Sequence, residues 1–207
     1  MGVNKKMKKK ASLTIAGLSI LLLSACAASP DQVISQAQQE GADMTESLQT
    51  IQANEADLQA DFETDLAADK SLANLTEKGQ GETRANLSAR QEAFETLKKD
   101  YESLHNKATT LKEFDETDFT AEEDFSNFSE MRNLVVSVDE QMASYVENYQ
   151  AVLEAENKYY TQLAAEDSDL TVFTDGMAGI NSQYQKSQEI LAEVLPNLAK
   201  LSAQPEA

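Results

Sequence analysis

Residues 128–163, from Phe128 to Leu163, read FSEMRNLVVSVDEQMASYVENYQAVLEAENKYYTQL. Within them Phe128, Met131, Val135, Val138, Met142, Tyr145, Tyr149, Val152, Tyr159 and Leu163 recur by threes and fours, the spacing of one helix face. A second row, Val136, Ala143, Val146, Leu153 and Tyr160, widens that face. A stripe this broad suits a helix with more than one neighbour, so it predicts a bundle rather than a two-stranded coil.

Working outward, Thr120 is read as the cap of this helix, with Glu123 in capping-box position. Asp167-Ser168-Asp169 breaks it. A following helix carries Phe173, Met177, Ile180, Tyr184, Leu191, Val194, Leu198 and Leu201, and Pro196 is expected to kink or end it. Upstream, Leu87, Phe94, Leu97, Tyr101, Leu104, Ala108 and Leu111 form another stripe, which fades at Glu113. The segment Phe114 to Phe119 reads as a connection. The first helix opens with Ser29 as N-cap, Pro30 at N1 and Gln32 completing a capping box. Its seam is Ile34, Ala37, Gly41, Met44, Leu48, Ile51, Leu58 and Phe62, interrupted by Glu55. Leu66, Leu72 and Leu75 continue it in shifted phase, as a stutter would. This predicts a helix from Asp31 to about Thr76, about 69 Å long, closed by Gly79-Gln80-Gly81. The fold expected is all-α: an elongated antiparallel up-and-down bundle of four helices, the first and third the longer, with left-handed coiled-coil-like packing. It occupies residues 31–201, with a frayed tail at 202–207.

Ahead of the bundle lies a different chemistry. Lys5, Lys6, Lys8, Lys9 and Lys10 precede an apolar run from Ala11 to Leu23, too short to span a bilayer. Leu23-Ser24-Ala25-Cys26 follows. A charged head, an apolar run and small residues before a cysteine read as a lipoprotein signal over 1–25. Cys26 then carries a covalent diacylglyceryl lipid, and residues 26–30 form a short tether. Cys26 is the sole cysteine, and lipidation accounts for an unpaired thiol in an exported chain. Met1-Gly2 does not suit myristoylation, because position 6 is lysine. The location expected is the outer face of the cytoplasmic membrane.

The full chain holds 17 Lys+Arg against 36 Asp+Glu, a net charge of −19. Five of those lysines leave with the signal, so twelve basic residues remain and the net charge becomes −24. That excludes nucleic acid as a partner and opposes adhesion to anionic polymer. Seven glycines, three prolines and no tryptophan argue against a β-sandwich or a tryptophan-lined sugar site.

No catalytic set is legible. His105 is the single histidine and is read as a surface or rim residue, because metal and catalytic sites need several convergent groups. Asp115 to Asp124 is acidic but has no glycine and is interrupted by Phe119, so it reads as a solvated connection rather than a calcium loop. Glu55 and Glu156 each occupy an otherwise apolar seam. They could form a buried polar pair or ligand contact that fixes register; the reading preferred is that both lie where the bundle opens to solvent. Tyr145, Tyr149, Tyr159 and Tyr160 could offer a sugar-stacking face, although their heptad spacing favours core packing. No metal and no dissociable cofactor is expected.

The pattern Tyr145-x3-Tyr149-x3-Leu153-x2-Glu156-x3-Tyr160-x2-Leu163, followed by Ile180-Asn181-x2-Tyr184, resembles the YkyA-like family of cell-wall-binding lipoproteins of Gram-positive bacteria. Ser144-Tyr145 stands where that family's pattern has Arg-Tyr, and Asn197 has no closing Phe-Tyr after it. The resemblance implies a lipid-anchored helical bundle outside the membrane and brings no catalytic residues with it. The expected role is a non-enzymatic binding or spacer module facing the wall polymer. The alternative is an accessory or chaperone-like lipoprotein bound to an exported or membrane protein of the envelope.

Overall fold

The computed structural model describes residues 28–70, 72–75, 79–165 and 168–203. The expected signal, Leu23-Ser24-Ala25-Cys26, Thr76, Asp167 and residues 204–207 lie outside them. Four helices follow in order: α1 (Pro30–Ala68), α2 (Glu82–Leu111), α3 (Glu122–Leu163) and α4 (Leu170–Ser202). Two 3-10 turns, Ala73–Leu75 and Glu116–Asp118, sit in the connections, and among the described residues there is no strand. The helices pack antiparallel, as two hairpins, α1 with α2 and α3 with α4; α2 then meets α3, and α1 meets α4. With 39 and 42 residues, α1 and α3 are the longer pair, about 58 and 63 Å at 1.5 Å per residue.

Local chemistry sets each helix start. Ser29 Oγ accepts from Gln32 N at 3.3 Å, and Gln32 Oε1 accepts from Ser29 N at 3.0 Å. This reciprocal box uses two amide groups that a helix start otherwise leaves unpaired. Asp169 caps α4 by accepting from Thr171 N and Val172 N. The start of α2 is capped from another helix: buried Asp65 of α1 accepts from Glu82 N at 2.8 Å and Thr83 N at 2.9 Å. Gly81 permits this, since a Cβ there would stand 2.5 Å from the Asp65 carboxylate oxygens.

Three expectations are corrected. First, α1 ends at Ala68, not near Thr76. Leu72 has a φ of 56°, in the left-handed region that no helix interior uses. Leu75 is buried in a 3-10 turn rather than on a helix seam, and Leu66 is exposed. The spacing of these leucines comes from a connection folded over the bundle end. Second, Thr120 does not cap α3. The cap position is Ala121, with no side-chain bond, and Thr120 lines a groove instead. Glu122, Glu123 and Asp124 occupy the first turn, where the helix dipole favours negative charge. Third, of the two effects expected of Pro196, ending the helix does not occur: α4 continues to Ser202. Pro196 and Ala192, whose carbonyl acceptor it leaves unpaired, are both exposed, so water can take the place of the missing amide. Ser202 is helical, its Oγ donating to Leu198 O at 2.8 Å.

The main core runs along α1–α4 through Met44, Leu48, Leu97, Leu104, Val138, Met142 and Leu198, among others. Burying one such side chain is worth about 1.5–3 kcal/mol. Gly41 lets α1 approach the end of α4 closely; a Cβ there would stand 3.2 Å from Leu201 Cδ2. A second, smaller core at the opposite end gathers Leu75, Leu87, Tyr159, Tyr160, Leu163 and Ile180.

Candidate functional site

The α2 seam passes from Leu87 to Phe94 through Arg90, which occupies an apolar position with a fixed charge. Its side chain is fully buried, as is that of Glu156 on α3, and Arg90 Nη2 stands 2.8 Å from Glu156 Oε2. Tyr184 on α4 joins both: it accepts from Arg90 Nη1 at 2.5 Å and donates to Glu156 Oε1 at 2.8 Å. Arg90 Nε donates to Asn86 Oδ1 at 2.9 Å. Asn86 Nδ2 in turn donates to the Asn54 carbonyl at 2.6 Å and Asp61 Oδ2 at 2.8 Å, both on α1. Tyr149 completes the set, its hydroxyl 3.5 Å from Arg90 Nη1 and opposing the rise that burial imposes on the carboxyl of half-buried Glu55. One guanidinium is thereby tied to side chains or backbone of all four helices.

Burial and charge oppose each other here. Burial alone would lower the Arg90 pKa; Glu156 and the surrounding hydroxyls more than reverse that, and Arg90 stays protonated. Burial pushes the Glu156 carboxyl up, while Arg90 and Tyr184 pull it back. Burial likewise raises Glu55, with Tyr149 and Arg90 opposing and Glu156 adding to the rise. Taking two charges from water costs several kcal/mol per ion, so such a pair adds little net stability, yet removing one partner costs about 3–5 kcal/mol.

The sequence placed Glu156 at a solvent opening; its exposure is 0%, because Arg90 supplies the partner that makes burial tolerable. Glu55 is half-buried beside the same cluster. Tyr145 and Tyr149 are buried and stacked with centroids 5.4 Å apart, and Tyr160 is buried against Phe62. None of these rings offers an open face to a sugar. His105 is exposed, its Nδ1 3.0 Å from Asp139 Oδ1, a contact between α2 and α3 with no nucleophile beside it. Among the described residues no group of three or more His, Cys, Asp or Glu is arranged to hold a metal ion, and no helix is long and apolar enough to cross a membrane. Arg90, Asn86, Asp61 and Asp65 were missed in the sequence. Arg90 alone had a signal, a basic residue three after Leu87 and four before Phe94.

The opposite end is built around Phe128, with Phe119 at 4.8 Å and Phe114 at 5.9 Å between ring centroids. Arg132 lies over the Phe128 ring and donates to the Phe114 carbonyl at 3.2 Å. A groove of about 1040 Å³ opens beside this cluster, between Pro30 and Asp31 of α1, the start of α3, and Lys200 and Ala203 at the end of α4.

A family model described as YkyA, putative cell-wall binding lipoprotein, matches residues 28–195. The comparison with curated proteins and the comparison with solved structures each return no match.

Proposed function

We propose a role that proceeds from one premise: the chain belongs to the YkyA family of cell-wall binding lipoproteins. It acts without catalysis, as a stiff spacer that holds a binding surface away from the membrane. Lipid on Cys26 fixes the end where Pro30 starts α1, on the outer face of the cytoplasmic membrane. The far end, with the α1–α2 connection and the α3–α4 turn, stands about 58 Å away, the length of α1. The single observation that carries this reading is the Arg90 cluster. It ties all four helices at one level, and so resists the sliding of one hairpin past the other that would soften a rod.

The charge limits the ligand. A mature chain of net −24 repels anionic wall polymer, so the wall component contacted is neutral glycan or peptide. Purified sacculi mixed with the mature chain over a salt series test this. Saturable pelleting that survives moderate salt is expected; no pelleting, with or without calcium, would overturn wall binding.

One observation favours the accessory role. Leu66, Leu170, Phe173 and Met177, the exposed large hydrophobics of the described residues, all lie toward the far end, where a protein partner would cover them. A specific crosslink to an envelope protein in cells, lost in Leu170→Asp, would select that reading.

A further inference from the structure

The groove beside Phe128 lies at the end where the chain enters from its lipid. Cys26 and Pro30 are four residues apart, at most about 14 Å of extended backbone, so an anchored bundle holds this groove at the membrane surface. The floor is apolar: Phe128 is 4% exposed, with half-buried Ile34, Phe119 and Met131 around it. Three carboxylates, Asp31, Asp118 and Asp124, and one cation, Lys200, form the rim. The α2–α3 connection also exposes Glu113, Asp115 and Glu116, and the first turn of α3 exposes Glu122 and Glu123, so this end faces the bilayer with a strongly negative surface.

We propose that the groove seats a membrane phospholipid with an amine headgroup. Its ammonium meets the Asp31 and Asp124 side, its phosphate meets Lys200, and its glycerol and upper acyl carbons rest on the Phe128 floor. Charge selects this occupant. An anionic glycerol headgroup brings a phosphate and no cation to a rim of three acids and one base, while an amine lipid brings both signs. The inference rests on the lipid anchor at Cys26.

The test uses the lipidated full mature chain on vesicles of digalactosyl diacylglycerol, whose headgroup carries neither charge. These carry equal amounts of phosphatidylethanolamine or phosphatidylglycerol with a photoreactive group at an upper acyl carbon, and crosslinked residues are mapped by mass spectrometry. The expected result is labelling at Ile34, Phe119, Phe128 and Met131, roughly five-fold stronger with the amine lipid. Asp31→Asn with Asp124→Asn should remove that preference while the circular dichroism of the bundle is unchanged. Equal labelling by the two lipids, a preference untouched by the double variant, or crosslinks to residues 204–207 or to a second copy would overturn the groove assignment. Failure of the protein to float with vesicles at all would overturn the anchor, and the groove with it.

Discussion

The half of the bundle near Pro30 and the half around Arg90 solve the same packing problem with opposite materials. Near Pro30 the interior is apolar: Val33, Ala37, Leu104, Ala108, Leu111, Val135 and Leu201 meet with no buried ion pair among the described residues. Around Arg90 a guanidinium, the Glu156 and Asp61 carboxylates, the Asn86 amide and two phenols occupy the equivalent layer. An apolar layer gains stability from area but tolerates many registers, because one leucine fits against several neighbours. A polar layer gains little but is satisfied in one arrangement only. On these grounds strength is expected from the apolar layer and register from the polar one.

The largest effect should come from breaking the polar layer on one side. Glu156→Leu leaves Arg90 charged and buried, and is expected to cost about 3–5 kcal/mol, read as a lower urea midpoint. In the apolar half, Leu104→Ala should cost about 2–5 kcal/mol through its cavity while hairpin register, followed by spin-label distances, stays as in the parent. A smaller effect is expected at the inter-helix cap: Asp65→Ala should cost about 1–2 kcal/mol and speed hydrogen exchange at Glu82 and Thr83, leaving the α3–α4 hairpin protected.

The smallest effect concerns pH. Burial raises the Glu55 carboxyl above its ordinary 4.5, with Glu156 adding and Tyr149 and Arg90 opposing. The folded state therefore holds this proton more tightly than the unfolded chain. The resulting stabilisation is fully present below 4.5 and is lost as pH rises through the folded value. The melting temperature of the parent relative to Glu55→Gln should thus fall as pH rises from 4.5 toward neutrality. A difference that grows instead would reverse the sign assigned to Glu55.

Helix number, type and relative length were legible because the seams of α1 and α3 run long enough for the 3.6 period to stand out. The end of α1 was not. Leu72 and Leu75 keep helical spacing, and spacing is blind to a φ of 56° at Leu72. Glu55 and Glu156 were visible as interruptions of apolar seams, but solvent was assumed as their partner. Arg90 lies on another helix, sixty-six residues before Glu156 in sequence, and only the antiparallel packing of α2 on α3 brings them together. Asp65 carried no signal at all, since a cap supplied from a different helix leaves no local spacing to read. The motif that carries the family resemblance includes Tyr149, Glu156 and Tyr184, three members of the Arg90 cluster.

The central claim is that the Arg90–Glu156 pair sets register rather than strength. The most direct measurement combines Arg90→Met with Glu156→Leu, places spin labels at exposed positions 91 and 154 of α2 and α3, and records their distance distribution together with urea unfolding. Stability within about 1–2 kcal/mol of the parent is expected, with a distribution that broadens into more than one population. A single distance as narrow as the parent's, at equal or greater stability, would contradict that claim.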